Sequence, residues 1–148
     1  MGNELSDSKY RILVVEDNPA DVALLRLALQ DANVPFVLTV VEDGADALEH
    51  IRKLAAAPGN SPDLVILDLN LPKHDGLEIL ADLRAMPALS ELPVLILTSS
   101  SSPRERARLE ALQIKGHLTK PLDFEAFMRV GVVIRNVLFG EKGVGAAR

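Results

Sequence analysis

The chain contains no cysteine and no tryptophan, and aromatic residues make up only 3% of its 148 residues. The absence of cysteine excludes a disulfide framework, a thiolate metal site and a cysteine nucleophile. No apolar run approaches the roughly 18 residues of a membrane span. The first nine residues are polar and contain no signal-peptide stretch. We therefore expect a cytoplasmic protein that does not associate with a membrane.

Positive charge is also scarce, because 16 Lys and Arg residues stand against 21 Asp and Glu residues, for a formal net charge of −5. A surface of this sign repels polyanions, which argues against direct binding of nucleic acid or anionic lipid. The rest of the composition, 48% apolar and 25% charged, is typical of a globular protein. The length is that of one domain.

Strand-like and helix-like segments alternate five times along the chain. Apolar, β-branched runs predict strands at 11–15, 36–41, 64–67, 93–97 and 116–119. Helical spacing of apolar residues predicts helices at about 19–32, 44–54, 76–86, 103–114 and 123–139. This alternation indicates an α/β domain over 10–139, with a parallel sheet covered on both faces. We expect flexible tails at 1–9 and 140–148.

Polar residues stand where four of these strands end. The first strand ends on Glu16 and Asp17, the third on Asp68, the fourth on Thr98 and the fifth on Lys120. Singly, each has an ordinary explanation as a helix cap, a solvated acid, a strand residue or a surface lysine. Open parallel sheets bind their ligands at the carboxyl ends of the strands. The joint occurrence of these residues at that edge therefore indicates one functional site.

Three of these residues are carboxylates, and carboxylates in one site repel each other. Two unit charges about 4 Å apart interact by roughly 4 kcal/mol at an effective dielectric of about 20. Such a cluster must take up a proton, pair with a cation or bind a metal. Hard oxygen donors favour Mg²⁺, which commonly acts with phosphate groups. A neighbouring carboxylate can then form an aspartyl phosphate, stabilised by a lysine and a hydroxyl.

The motifs resemble the receiver domain of bacterial two-component response regulators over residues 10–139. In order, they are Val-Val-Glu-Asp-Asn at 14–18, Leu-Asp-Leu-Asn-Leu-Pro at 67–72, Asp-Gly at 75–76, Leu-Thr-Ser at 97–99 and Lys-Pro at 120–121. The separations of 30 residues from Asp68 to Thr98 and 52 from Asp68 to Lys120 are similar to the family's spacing. The resemblance implies a doubly wound, flavodoxin-like (βα)5 fold with strand order 2-1-3-4-5.

The resemblance also implies a role for each acid. Asp68 is then the phosphoacceptor. Glu16 and Asp17 correspond to the acid pair that holds Mg²⁺ together with Asp68, with Asp17 as a direct ligand and Glu16 acting through water. The backbone carbonyl of Asn70 would complete the protein ligands.

Thr98 resembles the switch hydroxyl of the family, and Lys120 the lysine that pairs with the phosphoryl group. The resemblance also implies a cis bond between Lys120 and Pro121, a form that is rare before residues other than proline. Two positions depart from the family pattern. His117 stands where many receivers carry a Tyr or Phe that moves with the switch threonine, and Ser99 stands where Ala or Gly is common. His117 can still move as a flat ring, so we expect it to take part in the switch.

Two longer segments narrow the resemblance further. Residues 16–22 and 68–76 resemble the single-domain regulators paired with bacterial phytochromes. We therefore expect a stand-alone phosphoacceptor, not an enzyme, whose partner is a sensor histidine kinase of the phytochrome type. Two alternatives remain open. One is a phosphate sink that drains a shared kinase. The other is an aspartyl-nucleophile phosphatase, which usually carries a second acid where this chain has Asn70.

The predicted last helix carries two lines of apolar residues. One line is Phe124, Phe127, Gly131, Ile134 and Leu138, and the other is Ala126, Val130, Val133 and Val137. Either a single broad stripe covers the sheet, or the second line is an exposed patch. An exposed patch of this kind would be buried by pairing with a second copy around a two-fold axis. We therefore expect a homodimer built partly on the last helix.

Overall fold

The computed structural model describes residues 9–99 and 101–140, so nearly all of both predicted tails lies outside the described residues. The strands are β1 (Tyr10–Val15), β2 (Phe36–Val41), β3 (Leu64–Leu67), β4 (Val94–Thr98) and β5 (Gly116–Thr119). They form one parallel sheet in the order β2-β1-β3-β4-β5. The helices are α1 (Pro19–Asp31), α2 (Gly44–Ala56), α3 (Gly76–Ala85), α4 (Pro103–Ala111) and α5 (Phe124–Phe139). The predicted fold class and strand order are confirmed.

A side-chain cap opens each of these helices. A side-chain oxygen of the residue before the helix accepts a hydrogen bond from a backbone N–H of the first turn, and the caps are Asn18, Asp43, Asp75, Ser102 and Asp123. These bonds satisfy N–H groups that have no partner within the helix. Only α4 ends clearly earlier than the sequence predicts, at Ala111. Gln113 adopts a left-handed φ of 57° shortly afterwards, which a continuing helix does not permit.

Two hydrophobic layers cover the sheet. On one face, α1 and α5 contribute Leu29, Phe127 and Ile134 to a core with the buried strands. On the other face, Ile51 of α2 and Leu80 of α3 belong to a second core that also includes a residue of α4. With both faces covered, the carboxyl edge of the sheet is where polar residues after the strands can meet a ligand. Within the described part of the chain, no helix is both long and apolar enough to cross a membrane.

The second apolar line of α5 is not the exposed patch that the sequence suggested. Val130 is only 4% exposed, and Val133 and Val137 are half-buried against the same core as the first line. The reason is that α5 packs against α1 as well as the sheet. A Cβ on Gly131 would run into the backbone carbonyl of Ala28, so the two helices approach backbone to backbone. The broad-stripe interpretation is therefore correct.

Candidate functional site

Backbone hydrogen bonds hold the strand ends of the site together at one edge. The Asp68 N–H donates to the Val15 carbonyl at 3.1 Å, and the Lys120 N–H donates to the Thr98 carbonyl at 2.8 Å. These bonds continue the parallel ladder past the last strand residues. The side chains after β1, β3 and β5 are thus brought together by the register of the sheet and not by a flexible loop.

Both oxygens of the Asp68 carboxylate accept hydrogen bonds. Oδ1 accepts from Thr98 Oγ1 at 2.7 Å and from the Asn70 N–H at 3.0 Å. Oδ2 accepts from Lys120 Nζ at 3.0 Å. The Asn70 amide Nδ2 also donates to Thr98 Oγ1, at 3.1 Å. Asp68 is 4% exposed, so these donors fix a nearly buried carboxylate in one orientation.

Lys120 lies among three carboxylates. Its Nζ is 2.7 Å from Asp21 Oδ2, 2.8 Å from Glu16 Oε1 and 3.0 Å from Asp68 Oδ2. An ammonium group has three N–H donors, so each carboxylate can take one. Burial lowers the pKa of Lys120, but the hydrogen bonds to Asp21, Glu16 and Asp68 outweigh it and raise that pKa above its ordinary 10.5. Lys120 is therefore a permanent cation of the site.

The Glu16 carboxyl group is more easily protonated than an ordinary glutamate because its pKa is raised. Burial raises the pKa of Glu16 well above its ordinary 4.5; the Lys120 hydrogen bond opposes the shift and the charge of Asp68 adds to it. The Asn18 N–H also donates to Glu16 Oε2, at 3.1 Å. The remaining shift means that the ionised form of Glu16 is short of positive charge even with Lys120 beside it.

Glu16, Asp17 and Asp68 form a carboxylate group that can hold a metal ion. One oxygen from each lies within 4.8 Å of the others, and Asp17 is exposed while the other two are buried. All three donors are hard oxygens, and the exposed side leaves room for the water ligands that Mg²⁺ keeps. The donor set therefore fits Mg²⁺. The Asn70 N–H and amide point to Asp68 and Thr98, and metal ligation by its carbonyl stays a prediction.

His117 lies in β5, and its side chain meets the loop after β4. Its Nε2 is 3.1 Å from Ser101 Oγ, and Arg106 donates to the Ser101 carbonyl at 3.0 Å. Burial and the charge of Arg106 lower the pKa of His117 below its ordinary 6.5, against an opposing effect of Glu105. The ring is therefore neutral at pH 7. Of the two predicted switch residues, Thr98 faces Asp68 and His117 is joined to the adjacent loop.

Two residues of the site were missed as site residues in the sequence. Asp21 reads there as an acid in the first turn of a helix, a position with an ordinary explanation. Gly76 reads as part of a helix start, but a Cβ on it would lie 2.5 Å from the Asp68 carbonyl oxygen and 2.6 Å from Leu69 Cα. The first turn of α3 thus rests directly on the backbone of Asp68, and the Asp-Gly pair after the acceptor was the available signal.

The expected cis bond before Pro121 is wrong. No peptide bond in the described ranges is cis. With a trans bond, the Lys120 N–H still donates to the Thr98 carbonyl and the Lys120 side chain still reaches its three carboxylates.

Comparison with known proteins adds a family match. The model of the response regulator receiver domain matches residues 12–130. The probable methanogenesis regulatory protein FilR2 of Methanothrix harundinacea is 32% identical over 135 residues, which cover 91% of this chain and 87% of FilR2. Response regulator Rcp1 of Synechocystis sp. is 34% identical over 121 residues, which cover 81% of this chain and 82% of Rcp1.

Solved structures agree with these relatives. The phosphorylated cyanobacterial phytochrome response regulator RcpA superposes with a TM-score of 0.78 at 32% identity, covering 89% of this chain and 95% of RcpA. The Mn²⁺-bound form of Rcp1 superposes with a TM-score of 0.75 at 30% identity, covering 86% of this chain and 92% of Rcp1. The bacteriophytochrome response regulator AtBRR superposes with a TM-score of 0.67 at 34% identity, covering 88% of this chain and 94% of AtBRR. The resemblance seen in the sequence motifs is confirmed.

Proposed function

The chain belongs to the response regulator receiver domain family, and from this premise we propose that it accepts a phosphoryl group on Asp68 from a sensor histidine kinase. The set of contacts around Asp68 carries the proposal. Its two oxygens are bound by a hydroxyl at 2.7 Å and an ammonium group at 3.0 Å, beside an acid pair suited to a metal. The phosphorylated surface is then read by another protein.

The transfer uses the residues already in contact. An oxygen of Asp68 forms a bond to phosphorus while the bond from phosphorus to the histidine nitrogen of the kinase breaks, and the imidazole keeps that electron pair. Glu16, Asp17 and Asp68 would hold Mg²⁺, which would supply positive charge for the phosphoryl group when bound. Lys120 and Thr98 donate hydrogen bonds to the charge that develops there.

The same donors make the proposed switch. A phosphoryl group brings a charge of about −1.5 to −2 to a site whose carboxylate carried −1. Thr98 and Lys120 then turn from the carboxylate to the phosphoryl oxygens. The end of β4 and the following loop move with Thr98, and His117 follows through its hydrogen bond to Ser101. The surface around α4 is the part that changes.

A bacterial phytochrome is the kinase partner that we propose. RcpA and AtBRR, two of the similar solved structures, are phytochrome response regulators. Phosphotransfer from a panel of sensor kinases, with the reverse reaction followed, tests this pairing. Rapid return of the phosphoryl group to the kinase, with no protein that binds the phosphorylated form, would favour the phosphate-sink alternative.

A regulatory role is favoured over phosphatase activity. Aspartyl-nucleophile phosphatases usually carry an acid two residues after the nucleophile, which acts as a general acid. Asn70 occupies this position, and its amide donates to Thr98 Oγ1 at 3.1 Å. An amide cannot release a proton to a leaving group. We propose that Asn70 contributes its backbone carbonyl to the metal instead.

The first test is the Asp68→Asn variant. With acetyl phosphate and Mg²⁺, wild-type protein should take up one phosphoryl group on Asp68, and the variant should take up none, because an amide is not a nucleophile here. Asp82→Asn, the same change at an exposed position of α3, is the control and should react like wild type. Mass spectrometry gives the readout. Label that persists in Asp68→Asn, or full reaction in EDTA, would contradict the proposal.

We also propose that the protein is a homodimer through α5. Support comes from apolar side chains left exposed on and beside this helix, namely Phe124 at 55%, Val132 at 46% and Leu27 of the adjacent α1 at 45%. Val132→Glu should give a monomer in light scattering at tens of micromolar while Asp68 still reacts. A wild-type monomer, with and without beryllofluoride, would refute the dimer.

A further inference from the structure

Among the described residues, Asp21 makes the shortest contact with the Lys120 ammonium group. The Nζ to Oδ2 distance is 2.7 Å, against 2.8 Å to Glu16 and 3.0 Å to Asp68. The side chains of Lys120 and Asp21 are 9% and 20% exposed, so the pair is largely shielded from water. Charge-assisted hydrogen bonds of this length are among the strong ones in proteins.

Asp21 differs from the other two partners of Lys120 in one respect. Glu16 and Asp68 belong to the carboxylate group that can hold a metal ion, together with Asp17, whereas Asp21 is not part of that group among the described residues. A divalent ion held by this group would compete with Lys120 for the charge of Glu16 and Asp68 and would repel the ammonium group. Of the three described carboxylates that contact Lys120, only Asp21 would then not be a metal ligand, so its full charge would remain available to the ammonium group.

We infer that Asp21 is a positioning residue, which holds the Lys120 ammonium group beside the phosphoacceptor when a metal ion occupies the neighbouring carboxylates. One Lys120 N–H donates to Asp21 and two remain for the phosphoryl oxygens. Without this anchor, the flexible four-carbon side chain of Lys120 turns to solvent. The inference rests on the proposed function of Asp68 as the phosphoacceptor.

The local fold places Asp21 for this role. Asn18 caps α1 through a hydrogen bond from the Ala20 N–H at 2.9 Å, and Pro19 begins the helix. Asp21 follows in the first turn, so its carboxylate lies at the same edge of the sheet as the end of β5. An acid at this position also stabilises the helix end by its charge. That purely structural role predicts a loss of stability but no change in the state of Lys120.

Two readouts separate the roles. In the first, NMR follows the ammonium N–H signal of Lys120, which is visible only while hydrogen bonds slow its exchange with water. Wild-type protein should keep this signal in EDTA and at saturating Mg²⁺, and Asp21→Asn should lose it when Mg²⁺ is added. Asp31→Asn, the same charge change at the far end of α1, is the control and should keep it. A signal that persists in Asp21→Asn with Mg²⁺ would overturn the inference.

The second readout is the rate of Asp68 phosphorylation by acetyl phosphate at saturating Mg²⁺. Asp21→Asn should slow this rate about tenfold, and in a Lys120→Ala background it should cause no further loss, because Asp21 acts through Lys120. Equal slowing in both backgrounds, or none in either, would overturn the inference. Wild-type protein without label on Asp68 would refute the proposed function, and the NMR arm would still decide where Lys120 is held.

Discussion

Replacing Lys120 with Met should destabilise the metal-free protein and strengthen its binding of Mg²⁺. Methionine keeps an unbranched apolar side chain and removes only the charge and the hydrogen bonds. The Lys120 side chain is 9% exposed, and those of Glu16 and Asp68 are 6% and 5% exposed. The change therefore leaves buried carboxylates without the cation that lies 2.8 and 3.0 Å from them.

The size of the loss in the free energy of unfolding follows from the burial of these side chains. Removing one partner of a buried ion pair costs about 3–5 kcal/mol, because the other charge is left uncompensated. Asp21, the third partner, is 20% exposed and can recover some hydration. We therefore expect the lower end, about 3 kcal/mol. At a urea m-value of about 2 kcal/mol/M, the unfolding midpoint in EDTA falls by about 1.5 M.

Saturating magnesium should recover about 1.4 of the roughly 3 kcal/mol that the variant loses, which is about half of the loss. In wild type, Mg²⁺ has to compete with the Lys120 ammonium group for Glu16 and Asp68, and in Lys120→Met this competition is gone. Lys120→Met should therefore bind Mg²⁺ about tenfold more tightly than wild type, or ~1.4 kcal/mol. Urea titrations with and without Mg²⁺, supported by calorimetry, measure both effects. Lys53→Met is the control, since Lys53 pairs with Glu49 at 3.6 Å with both side chains exposed, and should change stability by under about 0.5 kcal/mol. Unchanged stability in EDTA, or weaker Mg²⁺ binding by Lys120→Met, would refute the charge argument.

Two other substitutions test His117 and the contact between α1 and α5. Burial, and then the charge of Arg106, hold the pKa of His117 below 6.5 in the folded protein. As the pH falls, the His117 ring is therefore protonated in the unfolded chain before it is protonated in the folded protein. The contribution of the neutral His117 ring to the free energy of unfolding is therefore complete above pH 6.5, and it is lost as the pH falls towards the pKa of His117 in the folded protein. His117→Phe should lose less stability between pH 7 and pH 5 than wild type in urea titrations, and identical slopes would contradict this sign. Gly131→Ala should cost about 2 kcal/mol despite better helix propensity, because its Cβ meets the Ala28 carbonyl. Gly59→Ala, with nothing within 4 Å of the added Cβ, should be close to neutral, and equal midpoints for the two variants would refute the close approach.

The elements of the fold were predictable because local signals decide where they begin. Ser102 and Glu105 form the capping box that their spacing predicts, with bonds of 2.8 and 3.0 Å between the side chain of each and the backbone N–H of the other. The end of the same helix was not predictable. Gln113 takes a left-handed φ and Ile114 packs into the core, and this turn depends on the tertiary position of the core and not on the helix itself.

The site also contains residues that the sequence predicts and one that it does not. Asp68, Thr98 and Lys120 were predictable because a parallel sheet brings the ends of its strands to one edge, whatever the loops between them do. Asp21 stands on a helix, 99 residues from Lys120 in sequence. Nothing close to it in the chain distinguishes it from an acid that stabilises a helix end. Its contact with Lys120 exists only once α1 and β5 are assembled on the sheet.

The apolar breadth of α5 shows how one sequence pattern can have two physical causes. A helix that covers only a sheet needs one apolar stripe, so a second line suggests a partner. This helix also packs on α1, and Val133 and Val137 are partly buried against the core that α1 and the sheet share with it. Val133→Glu would therefore place a charge against the core and unfold the protein before it separated a dimer. Val132, at 46% exposed, is the position where a charge tests the interface alone.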